Sequence, residues 1–327
     1  MRAYLGLALA AVLGFVGTAW AAPLDLKQVD SEAKWAVHVD ADAMRNACVV
    51  QKAHEQMMQK HPVAAAHLAM VREVWKFDPC NDIHGVTIYG TQVKKDTGVA
   101  IVNAKVDQEL LLEKVKQAPD YRASTYGNHE LSTWTHAKGS KHERSMTGTF
   151  YKPDVMVFGG STAEVMAALD VLDGKKPNLP CKEPSLVGSI PPGAILVAGV
   201  GGLADVDLPC KSPLVKQIDL LTVAMGEHDG ESFCMGQATV KQADIAQQMK
   251  AIVDGARAMV VLTHGDDAEL LKLIAALKVD ADGNTVTIEW RAPADEVWAY
   301  AQKMCKKMSR HGWKHHKLPW HHSAKEK

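Results

Sequence analysis

The sequence predicts an α+β fold of two similar lobes, each an antiparallel sheet with helices packed on one face, followed by a flexible C-terminal tail. Three observations lead there. Short alternating stretches such as WAVHV at 35–39 are interleaved with stretches of helical periodicity. The phrase Leu179-Pro180-Cys181-Lys182 returns as Leu208-Pro209-Cys210-Lys211, each time with Pro, Leu and Val close behind. A shift of 134 residues then places Ala104, Val106, Gln108 and Lys116 on Ala238, Val240, Gln242 and Lys250. One doubling is too little for a solenoid and suits a pair of lobes, 22–178 and 179–308, with a tail at 309–327.

In the first half, strand 35–39 leads through Asp40 or Asp42, either of which can cap, into a helix at 43–59. Pro62 opens the next helix, with Val63, His67, Met70 and Val74 at helical spacing on its expected apolar face. Strands at 85–89 and 98–104 precede a helix at 107–117, which presents Leu111, Leu112 and Val115 and ends at Pro119. Strands at 121–126 and 130–135 flank Gly127-Asn128, a hairpin signal. Two more strands, 145–151 and 155–158, lead to a helix running to Leu172, capped by Ser161 or Thr162 with Glu164 in its first turn. The second half repeats the order: strand 194–200, a short helix at 213–219, a hairpin of 220–224 and 232–240, helices at 243–259 and 266–277, a hairpin through Asp282-Gly283-Asn284, and a last helix at 294–308.

Residues 1–21 have the plan of a secretory signal: Arg2, an apolar run from Leu5 to Val16, and an Ala19-Trp20-Ala21 cleavage site. The run is short for a membrane span, and no cysteine follows the cleavage site, so a soluble periplasmic or secreted protein is expected. Charge is balanced overall but unevenly placed: the mature body carries about −9, whereas 303–327 carries about +7. Nucleic-acid binding by the body is therefore not expected. Six cysteines in an exported chain suggest disulfides, with Cys181–Cys210 first because of the duplicated phrase and Cys48–Cys80 next. Cys234 reads as a small apolar residue in a strand, and Cys305 falls in the last helix.

The segments VHVDADAM, FDPCNDIHGVTIYG, VDQELLLEKVKQAPDY and VMAALDVLDGK together resemble uncharacterised exported α+β proteins of planctomycete-type bacteria. The resemblance spans most of the mature chain. It implies the fold and the compartment, and it brings no catalytic motif.

Motifs that could carry chemistry fall short one by one. Gly199-Val200-Gly201-Gly202-Leu203-Ala204 formally fits a dinucleotide fingerprint, but Asp205, Asp207 and Pro209 break the helix that must follow. Gly159-Gly160-Ser161-Thr162 lacks a P-loop lysine and reads as an N-cap, and Asp280 to Asn284 reads as a hairpin turn rather than a calcium loop. His129, His136 and His142 lie around one polar loop and, with Glu130 or Glu143, form a candidate metal group of undiagnostic spacing.

The tail is the compositional outlier. His311, His315, His316, His321 and His322 make five of the fifteen histidines and are the candidate metal ligands, for Zn, Ni or Cu. Met304, Met308, His311 and His315 would share one face if the last helix continued, a thioether–imidazole set suited to Cu(I). Lysines among them weaken any such site and equip the tail for an anionic surface. Function is thus read as a non-catalytic binding or structural body with a metal-binding tail. The alternative is a hydrolase with its site in the cleft between lobes.

Overall fold

The structure is a computed structural model that describes residues 23–94, 97–181, 185–203 and 213–310. The signal segment, the histidine tail and the Cys181–Cys210 pairing all fall outside the described residues. The fold is α+β, built on one antiparallel sheet.

The first half supplies β1 (Trp35–Asp40), α1 (Ala41–Asn46), α2 (Cys48–Lys60), α3 (Pro62–Trp75), β2 (Ile83–Gly90), β3 (Val99–Ala104), α4 (Gln108–Lys116), β4 (Arg122–Tyr126), β5 (His129–His136), β6 (Arg144–Lys152), β7 (Val155–Gly159) and α5 (Thr162–Leu172). The second supplies β8 (Ala194–Gly201), β9 (Ile218–His228), β10 (Glu231–Val240), α6 (Ala243–Thr263), α7 (Ala268–Ala275), β11 (Lys278–Asp282), β12 (Thr285–Pro293) and α8 (Ala294–Arg310). The expected short helix at 213–219 is a single 3₁₀ turn, Val215–Gln217.

Twelve strands form a single sheet in the order β11-β12-β10-β9-β8-β1-β2-β3-β7-β6-β5-β4. β1 pairs with β2 on one side and with β8 on the other, in register from Trp35↔Val200 to Val39↔Leu196. The halves are therefore joined edge to edge in one sheet, and they do not face each other across a cleft. Read outward from that joint, the order is β1-β2-β3-β7-β6 one way and β8-β9-β10-β12-β11 the other. The first half adds the β4–β5 hairpin. Both outer edges are short strands with polar or charged side chains, RASTY and KVDAD, which disfavours further strand pairing.

Strand alternation sorts the side chains onto two faces. Ile101, Thr87, His38, Val197, Ala224 and Met235 are cross-strand neighbours on one face. The larger core lies there, where α5 presses Val165, Ala168 and Leu169 onto Val99, Ile101 and Val157, and Val29, Leu179, Leu186 and Val187 extend the cover. Each fully buried aliphatic side chain contributes roughly 1.5–3 kcal/mol. On the opposite face, Leu111 of α4 packs with Val102 and Met156, and Ala246 of α6 packs with Ala238, Val240 and Val286. Helices thus lie on one face in the second half and on both in the first, since α5 and α4 take opposite sides.

Caps account for most helix starts. Asp40, Asp107 and Asp267 each accept a backbone N–H in the first turn of α1, α4 and α7. Ser161 and Glu164 form a full capping box on α5. The helix expected at 43–59 is instead two, broken at Ala47, because Glu227 of β9 reaches across the joint to cap α2 at the Cys48 and Val49 N–H groups (2.6 and 3.2 Å). On α3 the expected apolar face is turned outward: Val63 and Val74 are 66% and 49% exposed, while Leu68 is buried. The small residues Ala64 and Ala65, half-buried like Val71, sit on the inward side with Leu68 and let the helix approach its neighbours.

Gly199 is needed in mid-strand because the 185–187 segment crosses β8 there, and a Cβ at this position would lie 1.9 Å from the Leu186 carbonyl oxygen. Gly199→Ala should cost about 1–3 kcal/mol by forcing that crossing open. Gly255→Ala, in the interior of α6 with open space around it, should add up to about 1 kcal/mol. Thermal melts of the two variants should move in opposite directions from the parent.

Candidate functional site

Two clusters of polar side chains stand out, and they differ in how completely they are satisfied. The first ties α1 to the start of β2. Asp42, 1% exposed, forms an ion pair with Arg45 and accepts from His84 Nδ1 at 3.1 and 3.2 Å. Arg45 Nη1 also donates to the carbonyl oxygens of Cys80, Asn81 and Ile83, each at 3.0 Å. A buried guanidinium with this many acceptors is a clamp. Burial, and secondarily the Arg45 charge, hold His84 below the usual imidazole range despite the Asp42 contact. No hydroxyl or thiol is bonded to this imidazole among the described residues. Cys80 nearby is buried and its thiol is pushed up to about 11, mainly by burial, so it is a poor nucleophile.

The second cluster lines a pocket of about 230 Å³ between α5 and the ends of β2 and β3. Its buried wall is Tyr89, 3% exposed, whose hydroxyl has no hydrogen-bond partner among the described residues. Burial, with Asp30 as a lesser contributor, raises the Tyr89 pKa well above the phenol range, so the O–H keeps its proton. Asp30 is placed by a bridge to Asn178 and by the Ser31 N–H to the Pro177 carbonyl. One Asp30 carboxylate oxygen accepts from the Glu32 N–H at 2.8 Å. Glu164 joins from α5, accepting from the Gly98 N–H at 2.9 Å and the Ser161 N–H at 3.0 Å. Gly98 has φ +129°, and a Cβ there would meet the Tyr89 carbonyl oxygen at 2.9 Å, so this wall requires glycine. Ala167 and Ala168 keep the helical side of the pocket open.

A second cavity of similar volume lies beside β9 and β10, lined by Ser185, Gly188, Leu220, Thr222, Gln237 and Thr239. Among the described residues its lining holds neither a charged side chain nor an unpaired buried group.

The residues singled out from sequence are placed as follows. His311, His315, His316, His321 and His322 lie outside the described residues. Cys48 and Cys80, expected to pair, are both free: Cys80 is buried under the Arg45 clamp, while Cys48 opens α2 with its Sγ 3.9 Å from Asp295. Cys234 is half-buried on β10 and Cys305 exposed on α8, both free. The His129, His136 and His142 group does not assemble. His129 and His136 stand at opposite ends of β5, and His129 is held by Asp173 at 3.2 Å. No group of three or more metal-ligating side chains forms among the described residues.

No motif marks Tyr89 or Asp30, and Glu164 is marked in the sequence only as part of the start of α5. The available signals were the inward parity of Tyr89 on β2 and the glycines flanking the β2–β3 connection. Their convergence depends on the 26–31 segment meeting 177–179, which no local pattern encodes.

No family model matches the chain, and no curated protein matches it. Among solved structures it is similar to TP0453, a Treponema protein, in crystal form III, with a TM-score of 0.43 and 11% identity over 86% of this chain and 99% of that one. Crystal form I of the same protein gives 0.42 and 9% over 87% and 99%. A likeness of that degree transfers no activity.

The clamp yields a stability test. Arg45→Met leaves Asp42 buried without its main partner and should cost about 3–5 kcal/mol. Since His84 is depressed in the folded chain, the unfolded chain takes up the proton first as pH falls below about 6.5. Its contribution is full above that pH and is lost on acidification, so denaturant melts of His84→Asn should show a shallower decline between neutral and mildly acidic pH than the parent.

Proposed function

We propose that the protein is an exported, non-catalytic binding protein whose α+β body holds a small polar ligand in the Tyr89 pocket. The observation that carries this reading is the pocket of about 230 Å³ between α5 and the ends of β2 and β3, whose described lining includes the Asp30 and Glu164 carboxylates. The signal-like 1–21 segment supports a periplasmic or secreted location, as does the resemblance to exported planctomycete-type proteins. No helix among the described residues is long and apolar enough to cross a membrane. The matched strand orders on either side of the β1–β8 joint support an origin by duplication. The basic tail with His311, His315, His316, His321 and His322 adds a weak site for Zn, Ni or Cu or for an anionic surface.

The alternative, a hydrolase with its site in the cleft between lobes, draws less support from a sheet in which β1 pairs directly with β8. The Asp42–His84 pair holds its imidazole as an acid–base group would be held, but among the described residues no hydroxyl or thiol is bonded to that imidazole. A structural clamp accounts for its geometry.

A thermal-shift screen of small polar metabolites against the mature chain should give saturable stabilisation by at least one compound, with no conversion of that compound by mass spectrometry. Ala167→Leu, which extends a helix-compatible side chain into the pocket, should abolish the shift while leaving the fold intact. Turnover of the bound compound, or binding indifferent to Ala167→Leu, would contradict the proposal.

A further inference from the structure

We infer that the outward face of α6 is a contact surface for a second copy of this chain, with the two α6 helices packed antiparallel about Gly255. α6 turns one apolar side to the sheet, where Ala246 is buried and Val253 and Val260, at the same side by helical spacing, are half-buried. Its other side is apolar as well. Gln248, Ile252, Gly255, Met259 and Leu262 follow one another at alternating four- and three-residue steps, the spacing of a seam between helices. Ile252, Met259 and Leu262 are 56%, 61% and 80% exposed. Single exposed apolar residues are ordinary, but three in one seam leave a continuous apolar strip open to water.

Gly255 marks the middle of that strip. A glycine inside a helix costs about 1 kcal/mol relative to alanine, and a Cβ there would meet nothing within 4 Å, so no contact within the single chain requires its absence. A second helix crossing at this point does, because the missing Cβ lets two backbones approach. Self-complementarity selects an identical copy as the partner. In an antiparallel pair centred between Gly255 and Ala256, Ile252 lies against the partner's Met259 and Met259 against the partner's Ile252, as an isologous interface requires. Charge permits the contact: the exposed residues from 247 to 263 are all uncharged, and Lys250, Asp254 and Arg257 pair with one another along the flank at 2.7 and 3.3 Å. An anionic lipid surface fits less well, because residues 244–269 hold five acidic side chains against two basic ones. At 21 residues α6 is about 30 Å long, so seam-to-seam contact buries on the order of 1,000 Å² in total, the lower bound for a specific interface. The polar edge strands β4 and β11 disfavour growth of the sheet, which leaves the helical layer for contact between copies.

Analytical ultracentrifugation of the full mature chain should show a dimer that dissociates on dilution through the micromolar range. Ile252→Lys and Met259→Glu, both at exposed positions, should leave the chain folded by circular dichroism and each weaken the dimer about tenfold or more, since each puts a charge into an apolar contact. The antiparallel register makes a sharper demand. Mixing the two variants should restore a heterodimer, because the introduced ammonium then faces the introduced carboxylate while the second Ile252–Met259 contact is kept. A chain that stays monomeric at every concentration, a dimer that neither substitution weakens, or one that Val63→Glu on α3 weakens equally would overturn the proposal. So would failure of the mixed variants to pair. Binding to anionic vesicles that Met259→Glu abolishes in a monomeric chain would assign the face to lipid, and a dimer that forms only in a chain ending at Ser309 would assign it to the tail; either result overturns the proposal as well.

Discussion

Backbone pairing between β1 and β8 is the constraint on which the rest of the structure depends. It turns two runs of strands into one sheet and makes β1 a central strand, bonded on both sides. Central position explains why His38 on β1 is 2% exposed and needs the Thr87 hydroxyl at 2.9 Å as a partner. It explains Gly199 as well, since the segment connecting the halves must cross β8 to extend the core, and only a missing Cβ lets it pass. Glu227 reaches from β9 to the N-terminus of α2, so even a helix of the first half is started by a side chain of the second.

With the sheet fixed, the pocket follows from two further contacts. The 26–31 segment pairs with 177–179 and brings Asp30 over the same face that α5 covers. The capping box of α5 does double duty: Glu164 satisfies the helix N-terminus and ties down Gly98, so the same residue starts a helix and shapes a wall. Tyr89 is left as the odd member of an otherwise apolar core, its ring packed with Val99 and Ile101 and its hydroxyl unpaired. A core that only had to be stable would be better served by phenylalanine there.

Local rules reach far into this fold. The Gly127-Asn128 hairpin and the Ser161/Glu164 start of α5 sit where their residue chemistry puts them, and Gly127 has the positive φ of its turn, +57°. Where the sequence misleads, the cause is non-local. Residues 43–59 carry helical spacing throughout, and the break at Ala47 is enforced by a carboxylate 179 positions away in sequence. In α3, Val63, His67 and Val74 face outward while Ala64, Ala65, Leu68 and Val71 are turned inward, so the spacing of the first set alone selects the wrong side. The cysteines suggested a bond that geometry does not make, because Cys80 is enclosed by the 78–83 turn while Cys48 faces α8. The continuity of the sheet was hidden for a related reason: an internal repeat fits two lobes and one extended sheet equally well, and only the pairing of β1 with β8 decides. The pocket was least legible of all, since its three polar residues come from separate segments of chain.

Native-state hydrogen exchange across β1 and β8 tests the single-sheet account most directly. If the pairing organises both halves, amides of 35–40 and 196–200 should exchange only through the largest opening, with the same free energy and denaturant dependence as amides of β3 and β10. Exchange of β1 or β8 through a smaller, separate opening, with the two halves melting independently, would contradict it.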